Sequence, residues 1–307
     1  MRGRLSTARV RAGSFAACVL ALVALAGCAT RRPVAPAPPE TLLLTGYSTW
    51  FAADVEGNRD LLRSVLGDLG AEIEVVDRTQ RIVGGVRFAS GTPGAPVDIA
   101  AVASGRFPPG GTRFVLGADR SFARRVARVD NRRLVYYQER EGALQLALPA
   151  RDLLYLSSGR ILELLAERPP AELELDPGLY RMLRSVGLPG EPTALVVFDD
   201  PGRTILTTLG VEAPVIALAR MALSLDAVEA ERVLLGASFH FRSERDAALF
   251  SRIGRLFVVV FVRSLGLEGA VAQQARITVD GTVVGFTGIP LGRDEIAPLI
   301  RRFQGGA

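Results

Sequence analysis

The chain has 307 residues and a formal net charge of +5, and its 37 basic residues are all Arg. Arg2, Arg4, Arg9 and Arg11 precede Cys28 and no Asp or Glu does, so the balance beyond Cys28 is 33 basic against 32 acidic residues. The basic balance thus comes mostly from residues 1–28 and is poor evidence for a nucleic-acid partner. The absence of Lys excludes Schiff-base chemistry, P-loop phosphate binding and Ser-Lys dyads.

Residues 1–28 divide into a basic stretch, an apolar stretch from Phe15 to Leu25, and a small-residue end, Leu25-Ala26-Gly27-Cys28. The apolar run is about half the roughly 20 residues that a membrane-crossing helix needs, which predicts a secretory signal and not a retained span. Leu25-Ala26-Gly27-Cys28 resembles the lipobox of bacterial lipoprotein precursors. That resemblance implies a diacylglycerol thioether on Cys28 and cleavage after Gly27. The two or three acyl chains it implies would make membrane attachment stable, where one chain alone is marginal. It also implies a cell-envelope location. In a diderm organism, Ala29 in place of Asp points to the outer membrane, facing the periplasm; otherwise the outer face of the cytoplasmic membrane is expected.

Residues 29–40 contain Pro33, Pro36, Pro38 and Pro39. Such a run makes neither a helix nor a central strand, and as an extended tether it spans about 35–40 Å. No Cys follows Cys28, so the remaining chain has no disulfide and no thiolate metal site. Apolar burial must hold the fold together.

The following elements are expected in chain order. A short helix over 58–69 precedes strands 81–88 and 97–103. A helix over 112–128 comes next, with Val115, Ala118, Phe122 and Val126 at helical spacing. A hairpin of Leu134–Tyr137 and Ala143–Leu148 turns at Glu141-Gly142, then a strand Leu153–Leu156 and a helix Arg160–Glu167 stopped by Pro169-Pro170. A second short helix, Pro177–Val186, shares the string Leu-Arg-Ser-Val with the first, and an apolar strand Ala194–Phe198 follows. Strands Val215–Leu225 and Arg232–Phe241 form a long hairpin. Ser243 with Asp246 resembles a capping box opening a helix to about Leu265. Strands Arg276–Val279 and Thr282–Phe286 turn through Asp280-Gly281, and a helix from Asp294 to Phe303 closes the chain.

Each half thus reads ββαββα. The expected fold class is α+β: antiparallel sheets with helices on one face, built by tandem duplication of that unit. The domains are residues 1–28 as signal peptide, 29–40 as tether, 41–168 as a first lobe and 169–307 as a second.

Candidate chemistry is sparse. His240 is the one His, and period 2 points it away from Phe239 and Phe241 toward the less buried face. As a general base it would need Ser238, Arg242 or a distant carboxylate; a sheet-surface His is the plainer reading. One His with no Cys beyond Cys28 leaves too few ligands for most zinc sites. Gly-x-Ser-x-Gly does not occur, and neither Gly84-Gly85 nor Gly110-Gly111 has dinucleotide-loop spacing. Gly84-Gly85 falls in a predicted strand and suggests a bulge or close approach. Pro108-Pro109-Gly110-Gly111 reads as a turn before a helix. Asp199-Asp200 could bind a hard cation, but Asp200-Pro201-Gly202 is an ordinary turn.

Two Arg groups stand out. Arg120, Arg124, Arg125, Arg128, Arg132 and Arg133 are read as a solvated helix face, or alternatively as a contact for anionic lipid or cell-wall polymer. Arg245, Arg252, Arg255 and Arg263 form one stripe on an otherwise apolar helix, which is either a core helix with a narrow wet strip or a membrane-surface helix. Tyr47, Trp50, Phe51, Tyr136 and Tyr137 are read as core or strand-end residues, or alternatively as pocket anchors.

The expectation is a non-catalytic envelope lipoprotein, held to the membrane through acyl chains on Cys28 and binding an envelope protein or ligand at its surface. No cofactor, metal site or nucleic-acid partner is expected, and Cys28, as a lipidation site, is the single functional residue named. The alternatives are a carrier of a lipid or other apolar ligand, and a carboxylate-dependent cell-wall hydrolase.

Overall fold

The computed structural model describes residues 47–68, 77–87, 98–108, 110–111, 116–117, 120–129, 132–166, 177–199, 201, 218–229, 232–264, 271–292 and 295–296. Cys28, the tether and Asp200 lie outside the described residues, as does the closing helix apart from 295–296.

The elements run β1 (Thr49–Asp54), α1 (Arg59–Asp68), β2 (Thr79–Arg87), β3 (Asp98–Gly105), β4 (Phe122–Val129), β5 (Arg132–Glu139), β6 (Gln145–Ala150) and β7 (Leu153–Ser157). Then come α2 (Ile161–Ala166), α3 (Pro177–Ser185), β8 (Ala194–Asp199), β9 (Leu218–Glu229), β10 (Arg232–Phe241) and α4 (Glu244–Ser264). A 3₁₀ turn (Val271–Gln274) leads to β11 (Arg276–Asp280) and β12 (Val283–Gly292). Twelve strands make one sheet in the order β11-β12-β10-β9-β8-β1-β2-β3-β7-β6-β5-β4. The fold class is α+β, mostly antiparallel sheet with a few helices. β1 and β8 pair antiparallel from Thr49↔Phe198 to Ala53↔Ala194, so the strands of the two halves belong to one continuous ladder.

Helices pack on both faces of that sheet, not on one as expected. Residues directly opposite in a ladder share a face. Following the registers, Trp50, Val83, Val102, Tyr155 and Val197 fall on one face, where they cluster with Ile161 and Leu164 of α2 and Leu179 and Leu183 of α3. Met221, Phe239 and Phe286 fall on the other, packed with Phe250, Val258 and Phe261 of α4. The reason lies in strands such as β7, where all five residues from Leu153 to Ser157 are buried. A strand apolar on both sides must be covered on both sides.

A second expectation fails at residues 122–129, which form β4 and not the end of a helix. Phe122 and Val126 stand four apart, a spacing that suits one face of a helix and equally one face of a strand. Here Phe122 is buried while Val126 stays 45% exposed, and β5 lies alongside from Phe122↔Glu139 to Val129↔Arg132.

Local signals read from the sequence hold elsewhere. Gly281 has a φ of +52 in the two-residue loop between Asp280 and Val283, a conformation that favours Gly, although the loop is Gly281-Thr282, one residue later than the expected Asp280-Gly281. Ser243 accepts a hydrogen bond from the Asp246 N–H at 3.2 Å and its own hydroxyl donates to Asp246 Oδ2 at 2.8 Å, capping α4. Gly84 and Gly85 mark close approach: a Cβ there would stand 2.2 Å from Phe51 Cζ and 2.6 Å from Tyr47 Cγ. The two rings occupy the space that side chains would need.

Candidate functional site

The feature least expected of a fold element is on α4. Its 21 residues begin with Glu244 and Asp246 in the first turn and end with Arg263 in the last, so the termini suit the helix dipole. One face carries Ala247, Phe250, Gly254, Val258, Phe261 and Val262, all buried against the sheet. Phe250 lies 5.1 Å from Phe239 and 4.9 Å from Phe241, ring centre to ring centre. Phe257 meets Phe239 edge-on at 5.2 Å. Such ring pairs add about 0.5–1.5 kcal/mol each beyond area burial. Gly254 allows Phe286 to come close, since a Cβ would sit 2.9 Å from Phe286 Cζ.

The outward face is apolar as well. Leu249, Ile253, Leu256 and Val260 are 43%, 49%, 68% and 45% exposed. At 100° per residue they fall in one stripe about 60° wide. Arg245, Arg252 and Arg263, all exposed, run along one flank of that stripe, with Arg255 beyond them. The sequence offered either a core helix with a wet strip or a surface helix; α4 is a core helix on one side and an open apolar ridge on the other. Exposed apolar residues in a contiguous ridge mark a contact surface, whereas scattered ones do not. Among the described residues, no helix is long and apolar enough to cross a membrane.

His240 lies on the face away from α4, as its alternation with Phe239 and Phe241 predicts; both Phe are buried. The registers Asp199↔Arg220 and Arg220↔His240 set three polar residues in a row across β8, β9 and β10. Arg220 Nε donates to Asp199 Oδ1 at 3.0 Å, and Ser238 Oγ stands 3.2 Å from His240 Nε2. A Ser–His contact of that length is the start of a nucleophilic dyad. The row's carboxylate stands two strands from His240, roughly 9–10 Å at ordinary strand spacing, and it is engaged by Arg220. Asp199 therefore does not reach the imidazole directly.

The aromatic residues are mostly core. Tyr47, Trp50 and Tyr137 are buried, and Phe51 and Tyr136 are half-buried. Arg160 and Arg87 stand 5.3 and 5.8 Å from the centre of the Tyr47 ring. Arg87 also pairs with Asp98 at 3.1 Å, and Ser158 donates to Asp98 at 2.9 Å. Burial, and then the Asp98 charge, push the Tyr47 phenol above its ordinary value despite the two guanidinium groups. The Arg-rich segment falls on β4 and β5, with Arg124, Arg125, Arg128 and Arg133 exposed. Among the described residues, no three His, Cys, Asp or Glu groups gather as a metal site would require. The sequence marked α4 through its Arg stripe, but the exposed Leu-Ile-Leu-Val ridge was not legible, because Leu249 and Phe250 have the same apolar character and only packing separates them.

A twelve-stranded antiparallel sheet with helices on both faces, one of them open and apolar on its outer side, thus defines an α+β protein. No protein-family profile matches the chain. No curated protein matches it either. Among solved structures, crystal form I of TP0453 is similar with a TM-score of 0.59 at 17% identity, covering 87% of this chain and 97% of that one. Crystal form III of TP0453 gives a TM-score of 0.57 at 17% identity, covering 86% and 98%. At that identity the likeness is one of fold.

Proposed function

We propose that the chain is a non-catalytic, lipid-anchored envelope protein that works at a membrane surface, and that the outward ridge of α4 is its bilayer contact. The ridge carries this reading. Four large apolar residues are exposed in one stripe, flanked by Arg side chains that would sit at headgroup level while the apolar residues enter the acyl boundary. Burying them in lipid is favourable by about 25 cal/mol per Å² of apolar area. The lipobox-like Leu25-Ala26-Gly27-Cys28 supports an anchor nearby, and a tether of about 35–40 Å lets the ridge reach the bilayer. Acylation of Cys28 in an outer membrane or on the outer face of a cytoplasmic membrane belongs to the same reading. Binding of an envelope protein through the ridge is an alternative outcome of the test.

A tandem duplication is also proposed. Outward from the β1–β8 seam, the strand orders β1-β2-β3-β7-β6 and β8-β9-β10-β12-β11 correspond position by position. The β4–β5 hairpin is additional in the first half and α4 occupies the same chain interval in the second, which supports an ancestral unit more open to insertion than ββαββα.

The test uses neutral phosphatidylcholine vesicles and the chain from residue 28 with Cys28→Ser, which keeps every described residue and carries no acyl chain. Cosedimentation is expected for this chain and is expected to be lost in Leu256→Asn/Ile253→Asn. Equal sedimentation of the double variant would refute the ridge as a bilayer contact. Separately, radiolabelled palmitate should enter the full chain in cells and not its Cys28→Ser form; continued labelling would sink the anchor reading.

A further inference from the structure

The β4–β5 hairpin departs from the rest of the sheet. β5 meets β6 at Tyr137↔Leu146 and Gln138↔Gln145. Continuing that register would set Leu134 against Pro149, which has no N–H to extend a ladder. Residues 122–129 and 132–139 nevertheless stay paired with each other along their whole length. The distal half is therefore an arm of two strands at the sheet's edge.

Its root is apolar on the face it shares with Phe107 and Leu116, where Phe122 and Tyr137 are buried. Beyond the root, period 2 places Arg124, Val126 and Arg128 on that same face, and the register places Arg133 opposite Arg128. All four are exposed. Among the described residues, Arg124, Arg125, Arg128 and Arg133 have no ion-pair partner. Like charges directly across a ladder destabilise it, yet Arg128 and Arg133 are so placed. An external anion removes that cost. Val126, 45% exposed between Arg124 and Arg128, adds an apolar contact that a dissolved polyanion would leave in water and a bilayer would bury.

We infer that this face of the β4–β5 arm is a second membrane contact, one that recognises the phosphate groups of anionic phospholipid. The inference rests on the reading that the chain works at a bilayer, and it deepens that reading: α4 supplies apolar attachment with its flanking Arg side chains at headgroup level, and the arm adds further selectivity for negative lipid. The two contacts lie in different halves of the chain, on β4–β5 and on α4. Basic side chains at an anionic surface strengthen partitioning by about fivefold each, so three together amount to roughly 100-fold.

The experiment compares vesicles of phosphatidylcholine with vesicles containing phosphatidylglycerol, using the chain from residue 28 with Cys28→Ser. The parent should bind the anionic vesicles more tightly, and the gain should vanish at salt that shortens the Debye length to about 3 Å. In Arg124→Gln/Arg128→Gln/Arg133→Gln the gain should fall roughly 100-fold. Binding to neutral vesicles should persist in this variant and so reports that it is folded. The triple Lys variant should keep the gain. A gain retained by the Gln variant overturns the inference, and so does a parent that shows no preference for phosphatidylglycerol. Soluble polyphosphate competing as well as vesicles, in equal phosphate, would also overturn it in favour of a dissolved polymer. Failure of the α4 contact reads out on neutral vesicles instead, so the two failures are distinct.

Discussion

α3 and α4 are both surface helices on the same sheet, and they treat their outer faces differently. α3 buries Leu179 and Leu183, with Val186 just beyond it, and turns Arg181 and Arg184 to water. That is the ordinary division for a helix on a sheet. Arg81 on β2 fixes it further by donating to the Leu183 carbonyl. α4 buries a comparable stripe but turns Leu249, Ile253, Leu256 and Val260 outward. Since α3 shows that a polar outer face is sufficient for packing, the apolar ridge of α4 is not required by the fold. The proposed bilayer contact would give that ridge a role.

The comparison breaks down most visibly if the inner face of α4 is not what holds it. Phe250→Ala removes a ring in contact with Phe239, Phe241, Phe257 and Phe286. It should cost about 3–5 kcal/mol in chemical denaturation. A loss near that of an exposed residue would mean that α4 is not packed as described. On the outer face, Leu256→Asn should leave the denaturation midpoint nearly unchanged while weakening vesicle binding, so the two faces separate in two assays. Loss of stability on the scale of Phe250→Ala would show the ridge to be structural.

Smaller effects sharpen the picture. Ser243→Ala removes the cap of α4 and should cost about 1 kcal/mol, read as a shift in midpoint without change in slope. The smallest effect concerns Asp226 on β9, whose carboxyl is pushed up by burial against the partial relief of a hydrogen bond from the Thr193 backbone. A raised value means that the folded state favours the neutral acid. Its stabilising contribution is whole below the unfolded value of 3.8 and is lost as pH rises through the folded value. Asp226→Asn should therefore stabilise the chain near neutral pH and make no difference in acid below that value. Denaturation at two pH values checks it, and an equal gap at both would refute the assignment.

Local physics was legible wherever one residue type decides a conformation. The Ser243 cap, the positive φ at Gly281, the β9–β10 hairpin and the placement of His240 opposite Phe239 and Phe241 were all readable, because caps, positive φ and strict alternation leave little choice. The failure at 122–129 is of a different kind. Phe122 and Val126 fit both periods, and nothing local distinguished them; the pairing of β4 with β5, a contact made along the chain's own return, decided it. Of the candidate site, the Arg residues on α4 and on the 120–133 segment were visible, while the ridge was not.

Composition and spacing by themselves determined that this chain makes antiparallel strands with a few helices, that it lacks Lys and has one His, and where several turns and caps fall. Tertiary structure alone decided that the strands of both halves join through β1 and β8 into one sheet. It decided too that helices cover both of its faces, and that one side of α4 is core while the other is open. The physical reason is that hydrophobicity is a property of a residue but burial is a property of its neighbours. Leu256 and Phe250 are both apolar in the sequence, and only the sheet beneath one of them makes the difference.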